Sequence, residues 1–317
     1  MTAVLVIKHG ALGDLVQAMD ALQAIRRHHG DDTVVALTAP AFAPLLEACP
    51  WVDRVWIDTR PGPWQVGAWL ALARRMAAAR FARVYDLQNS GRTRWYRRLR
   101  RLAGDRSSQW CGTDPMADVA HVDPTFRQRH NQDNLARLLA TAGITVEPQA
   151  DLSWLDGDIA ELTPAGRFVL LVAGSSPGHP EKRWPALSFA VLAQGLVKDG
   201  LTPVLIGGAA EMAVLDEIAL VCPGALNLAG RTSLGQVAAL ARRAAGAVAG
   251  DTGPAFIIAA VGCPLTWLLS AHGNPRRSTP RGASVAVLQR DAIAAITVDE
   301  VRRALALRPS GPAADAD

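Results

Sequence analysis

Strand-like apolar runs recur along this chain, each followed by a turn and then an amphipathic stretch. In the first half they are "AVLVIKH" (3–9), "TVVALT" (33–38), "RVWID" (54–58) and "ARVYDLQ" (82–88). In the second they are "RFVLLVAG" (167–174), "TPVLIGG" (202–208), "GAVAGD" (246–251) and "PLTWLLS" (264–270), the last clear strand. The runs at 3–9 and 167–174 have no polar face, as strands covered by helices on both sides require. Helical spacing fills the intervals. Leu15, Met19, Leu22 and Ile25 keep it to about His29, and it returns at 41–48, about 64–79, 92–106 and Asn131–Thr141. Later helices are expected at 185–199, 209–221, "TSLGQVAALARR", "TGPAFIIAAVG" and 297–307, with Ser233 and Gln236 forming a capping box. Repeated strand–helix units predict an α/β protein with doubly wound parallel sheets.

A chain of 317 residues suits two domains. The proline-, glycine- and acid-rich stretch 143–166 reads as the connector, giving domains at 1–150 and 151–307 and a disordered tail at 308–317. Two such domains would take ligands in a cleft at the carboxyl ends of their strands. The N-terminus has no signal-peptide pattern, and Asp251, Pro254 and Pro264 break the longest apolar stretch. Cys49, Cys111, Cys222 and Cys263 form no C-x-x-C pair and no zinc-spaced cluster, so a reducing compartment and no metal are expected. Net charge is +4, all of it in residues 1–155, which hold 19 Lys+Arg against 15 Asp+Glu. The segment 92–106 has seven arginines and one aspartate, which suggests an anionic partner for that half.

Four loops follow strands and carry chemistry. In "KHGALGD", Gly10 and Gly13 allow positive φ and close approach of a ligand, and Asp14 falls in the first helical turn. An acid there satisfies free N–H groups and the helix dipole; it is also placed to act as a general base. In "AGSSPGHPEKRWP", Ser175 and Ser176 can donate to phosphate oxygens, and Lys182, one of three lysines, brings a point charge. In "IGGAAE", Glu211 can accept from a ribose diol, although a solvated acid would look the same. In "GDTGPAF", free N–H groups of Thr252 and Gly253 would face an anion beside Asp251, or the turn is an ordinary capped one.

In their order and spacing, "VLVIKHGALGD", "KRWP", "LIGGAAE", "NLAGRTSLGQVAAL" and "GDTGP" resemble glycosyltransferase family 9, the ADP-heptose:lipopolysaccharide heptosyltransferases, over residues 3 to 270. The resemblance implies a GT-B architecture of two facing Rossmann-like doubly wound domains. The first would bind the acceptor and the second the nucleotide-sugar. It implies inverting, metal-independent transfer, without a cofactor, from an ADP-linked sugar to an anionic lipid-linked glycan. Asp14 then matches the catalytic base and Lys182 the phosphate-contacting lysine. Ser175 and Ser176 match hydroxyl residues of the same loop, and Glu211 the acid on the ribose. Asp251, Thr252 and Gly253 match the loop around sugar and pyrophosphate. "RHNQDNLARLLATAGI" (129–144) looks like the helix that ends the acceptor domain. The family's D-[ST]-G-x-x-H pattern has Phe256 in place of histidine, which points to altered specificity.

Lys8, Gly10, Gly13, Arg92, Arg94, Arg129 and His130 are candidates for the acceptor side, with Arg97 and Arg127 beside them. The arginine-rich face is otherwise a solvated helix. Trp64 and Trp69 either touch a bilayer or pack internally. A cytoplasmic enzyme in peripheral contact with the inner membrane is expected. The alternatives are a nucleotide-sugar epimerase of the same architecture and a degenerate, non-catalytic nucleotide-sugar binder. A nicotinamide dehydrogenase is disfavoured because G-x-G-x-x-G is absent, and no nucleic-acid partner is expected.

Overall fold

The computed structural model describes residues 2–174 and 180–309, without the side chains of Arg127 and Pro180. Ser175, Ser176 and most of the expected disordered tail, 310–317, lie outside the described residues. The chain divides into two compact units, Met1–Trp154 and Leu155–Asp317.

Unit 1 runs β1 Ala3–Ile7, α1 Leu12–Val16, α2 Met19–His29, β2 Thr33–Thr38, α3 Ala43–Glu47 and β3 Arg54–Ile57. It continues with α4 Val66–Ala79, β4 Arg83–Asp86, α5 Gly91–Leu102, β5 Gln109–Gly112, β6 Val119–Ala120 and α6 Asn131–Thr141. Its sheet has the order β3-β2-β1-β4-β5-β6, parallel throughout. Leu5, Ile7, Val35 and Leu37 face one side, where they meet Met76 of α4 and Tyr96 of α5. The alternate residues, Val4, Val6, Val34 and Ala36, are equally buried on the other side, as the two-residue strand period requires. The helix expected to run unbroken to His29 is two helices, because Ala18 closes a tight turn onto Leu15 O. Just beyond, buried Asp20 accepts from Gln132 Nε2 at 2.9 Å and Ala150 N at 2.8 Å, tying α2 to α6 and to the end of the unit.

Unit 2 runs β7 Phe168–Val172, α7 Ala186–Lys198, β8 Thr202–Leu205, α8 Met212–Val221, β9 Leu226–Asn227 and α9 Leu234–Arg243. Then come β10 Gly246–Ala249, α10 Gly253–Ala260, β11 Leu265–Leu269, α11 Pro275–Ser278, β12 Val285–Gln289 and α12 Val298–Ala304. The sheet order, β12-β11-β10-β7-β8-β9, repeats the winding of unit 1, again all parallel. The capping box forms as expected: Ser233 Oγ accepts from Gln236 N, and Gln236 Oε1 from Ser233 N. Each sheet has short or half-buried strands that pattern reading does not find. β6 and β9 are two residues long, and β12 is an edge strand beyond "PLTWLLS".

The arginine-rich segment is not the solvated basic run its composition suggests. Arg97 and Arg100 are buried. Arg97 Nε donates to Asp114 Oδ2 at 3.0 Å, and Arg100 Nη1 to Asp105 Oδ2 at 2.6 Å and Nη2 to Ser108 O at 3.0 Å. Arg101 pairs with Asp118 on the surface. Arg97 is therefore structural, and much of the positive charge is matched internally. Removing one partner of a buried pair strands the other charge, at a cost of about 3–5 kcal/mol. Arg100→Ala should lower the urea midpoint of unit 1 accordingly, whereas Arg98→Ala, at an exposed position, should leave it unchanged.

Candidate functional site

In both sheets the strand order reverses at an internal pair, β1/β4 and β7/β10, and the loops leaving the two strands diverge. Such reversals are where doubly wound sheets take ligands. Lys8, Gly10 and Asp14 follow β1 at the first reversal, and Lys182 and Asp251 meet at the second.

In unit 1, Lys8 Nζ donates to Leu87 O at 3.3 Å and His9 N to Gln88 Oε1 at 2.9 Å, so the loops after β1 and β4 are stitched together. Gly10 has φ +104°, and a Cβ there would come within 2.1 Å of the Phe42 ring. Gly13 does not use the turn freedom expected of it; it is a helical residue of α1. Asp14 sits in the first turn of α1, half-buried, and provides no cap. Among the described residues its carboxylate accepts no hydrogen bond, and the charge it faces is Lys8.

Lys8 is buried, which lowers its pKa, while Asp14 and Asp86 hold it up. Burial pushes the Asp86 carboxyl up to about 6, against hydrogen bonds from Thr93, Asn89 N and Gln88 N. A second buried group lies beside it. His9 Nε2 is 2.8 Å from Asp58 Oδ2, and Tyr96 Oη donates to the same oxygen at 2.5 Å. Burial alone would raise Asp58, but these contacts and Arg60 N hold it below the usual carboxylate range. Burial, then Asp58, raises the Tyr96 hydroxyl.

Arg92 joins this network through Tyr96 Oη at 3.5 Å and is anchored by Pro61 O at 3.1 Å and the Trp69 ring. Trp69 is therefore internal, whereas Trp64 is 93% exposed. Arg94 is exposed. Arg129 pairs with Asp123, and His130 Nδ1 accepts from Gln132 N as the cap of α6. The side chain of Arg127 lies outside the described residues. His9, Asp58, Asp86 and Tyr96 are additions that sequence reading does not single out. Asp58 and Asp86 both close strand-like runs, "RVWID" and "RVYD", and that shared ending is the one signal they leave.

In unit 2, Lys182 Nζ donates to Asp251 Oδ2 at 2.8 Å, bridging the segments that follow β7 and β10. Both side chains are about a quarter exposed, 23% and 24%, so the pair is worth only ~0–1 kcal/mol and an anion can displace it. Gly250 O accepts from Trp267 Nε1 at 3.1 Å and from Thr252 N at 2.9 Å. The Thr252 N–H is thus engaged, correcting the expectation that it is free; Gly253 opens α10, and Pro254 behind it has no N–H. Phe256 is buried and packs edge-on against Trp267, under this loop. Glu211 Oε2 accepts from Gly208 N at 2.8 Å. Its side chain crosses Gly174 and Gly207, where a Cβ would lie within 2.6 and 3.0 Å of it. Among the described residues no group of three His, Cys, Asp or Glu side chains could hold a metal ion.

Residues 69–304 match the family profile described as "Glycosyltransferase family 9 (heptosyltransferase)". Over 154 residues the chain is 36% identical to Lipooligosaccharide heptosyltransferase 2 of Haemophilus influenzae, covering 46% of this chain but only 44% of that protein. It is 25% identical to Lipopolysaccharide heptosyltransferase 2 of Escherichia coli over 290 residues, 84% of this chain and 82% of that one. The solved structure of E. coli heptosyltransferase WaaC with ADP superposes with a TM-score of 0.74 at 20% identity, covering 95% of this chain and 98% of that one. Two Rossmann-like domains in tandem, wound alike, are the domains of the GT-B architecture. The chain belongs to glycosyltransferase family 9.

The raised Asp86 carboxyl has a consequence for stability. An aspartate of ordinary pKa 3.8 that titrates near 6 in the folded state binds its proton more tightly there than when unfolded. Its contribution is fully present below about pH 4 and is lost as pH rises through about 6. The carboxyl carbon resonance of Asp86 should titrate near 6, and Asp86→Asn should flatten the fall in unfolding free energy over that window.

Proposed function

We propose that this enzyme transfers heptose from ADP-heptose, with inversion and without a metal, to a lipopolysaccharide-core or related anionic, lipid-linked glycan. The observation that carries the reading is Asp14: a half-buried carboxylate in the first turn of α1, with no hydrogen-bond partner among the described residues, facing a buried lysine. A carboxylate that caps nothing and pairs with no surface cation is free for a substrate hydroxyl. The names of the relatives support the donor and acceptor classes, and WaaC, which shares the fold, binds ADP.

In this reading unit 1 takes the acceptor and unit 2 the donor. The acceptor oxygen attacks the anomeric carbon as Asp14 removes its proton, and the bond from that carbon to the diphosphate oxygen breaks on the opposite side. Lys8 faces Asp14 and, being buried, does not reach for the acceptor. Arg92 and Arg94 serve the acceptor's acidic groups, with Arg129 and His130 beside α6 as weaker contributors. Lys182 leaves Asp251 for the departing diphosphate, and the Gly253 N–H at the start of α10 supplies a second donor. Ser175 and Ser176 add hydroxyl donors, and Glu211 holds the ribose. Thr252 contributes through loop shape, since its N–H is engaged. Phe256 and Trp267 form an apolar floor where the family carries histidine, which tunes donor choice. Four free, buried cysteines fit a reducing, cytoplasmic setting.

The test is Asp14→Asn. ADP release driven by acceptor should fall by about 10³-fold or more, while thermal stabilisation by ADP, stronger than by UDP or GDP, stays as in the wild type. Wild-type turnover in the Asn variant would remove the base assignment. Stabilisation by another nucleotide alone would change the donor.

A further inference from the structure

Between Thr59 and Arg106 the chain holds twelve arginines and two acids, Asp86 and Asp105, and both acids are buried. Helices α4 and α5 pack side by side on one face of the sheet, so the outer surface of this segment carries arginines and no carboxylate of its own. On α5 the outward stripe reads Arg94, Trp95, Arg98, Arg101, Leu102, alternating charge and hydrocarbon at helical spacing. On α4 it reads Val66, Leu70, Arg74, with Trp64 just ahead of the helix. Leu102 is 83% exposed and Met116 65%. These two close a concavity of about 610 Å³ with Arg97, Arg98, Arg101 and Arg106.

Not all of this charge is available. Asp114 and Asp118 match Arg97 and Arg101. Arg74, Arg94, Arg98 and Arg106 make no ion pair among the described residues; Arg98 lies over the Trp95 ring. Among the described residues, the surface thus combines four guanidinium groups that make no ion pair, Arg94 lying within electrostatic reach of Asp114, with large exposed apolar side chains. Either feature alone binds weakly. Together they are the two signals that hold a protein on an anionic bilayer, hydrocarbon in the interface and cations at the headgroups.

We infer that the outer face of α4 and α5, with the Trp64 loop and the Arg98–Arg106 concavity, docks this protein on an anionic phospholipid surface. Arg98 and Arg106 take the lipid phosphates at the concavity while Leu102 and Met116 enter the acyl boundary. Trp64 sits at the headgroup level. A nucleic acid would use the arginines but leave Leu102, Met116, Val66 and Leu70 without a role. Each cation near such a surface is worth roughly fivefold in affinity, so the four unmatched arginines should favour anionic over neutral vesicles by about a hundredfold or more.

Apart from Arg94, which also serves the proposed acceptor, the face lies outside the donor and acceptor assignments, and its test uses the full-length protein. Sedimentation with vesicles of phosphatidylcholine alone and of phosphatidylcholine with phosphatidylglycerol should show binding to the second kind only, weakened by salt. An Arg98→Glu/Arg106→Glu double variant should lose about tenfold or more in affinity. Trp64→Ser should weaken binding while keeping its salt dependence. All three side chains are exposed or line an open concavity, and an unchanged circular dichroism spectrum and urea midpoint of unit 1 show that the variants are folded. Equal binding to both vesicle types, wild-type binding in both variants, or salt-sensitive binding to duplex DNA without vesicle binding would overturn the inference.

Discussion

Each sheet reverses its winding once, and the structure is organised around those two reversals. Where β1 meets β4, and where β7 meets β10, the strand order reverses, and in doubly wound sheets the connections then leave in opposite directions. Backbone and side chains at the strand ends have to satisfy one another there. In unit 1 they do so with Lys8 on Leu87 O and His9 N on Gln88. In unit 2 the link is the Lys182–Asp251 pair, with Gly250 O shared by Trp267 and Thr252.

The two reversals are built differently, and the difference suits their proposed tasks. Unit 1 buries its titratable groups. Lys8, Asp86, Asp58 and His9 are each under a tenth exposed; His9 lies against Asp58, and Lys8 faces both Asp14 and Asp86. Removing one partner from a buried set of this kind costs several kcal/mol, so its arrangement is held in place. Unit 2 leaves its ion pair a quarter exposed, where the net interaction is small. A diphosphate carries more charge than one carboxylate, so it can take Lys182 from Asp251 without loss.

The strands flanking both reversals were legible because they are apolar on both faces, and the loops because glycine, acid and lysine stand right after them. Three of the four edge strands were not. β6 and β9 are too short to show a period, and β12 is half-buried along most of its length with no apolar–polar alternation. The polar network under Asp14 was hidden for another reason. Asp58, Asp86 and Tyr96 come from separate elements, and only the parallel register brings them to the end of β1. The arginine segment misled in the same way. The partners of Arg97, Arg100 and Arg101 are Asp114, Asp105 and Asp118, which lie after the helix in sequence and beside it in space. Composition counted those arginines as free. The Thr252 N–H was likewise counted as free until the turn back to Gly250 O was visible.

The central claim is that nucleotide belongs to the β7/β10 reversal and the loop after β1 belongs to a different partner. Hydrogen–deuterium exchange with and without ADP tests it most directly. The account predicts slowed exchange in peptides spanning 207–212 and 249–256, with 8–14 and 87–90 unchanged. Protection of 8–14 and 87–90 with the unit 2 peptides unaffected would contradict it.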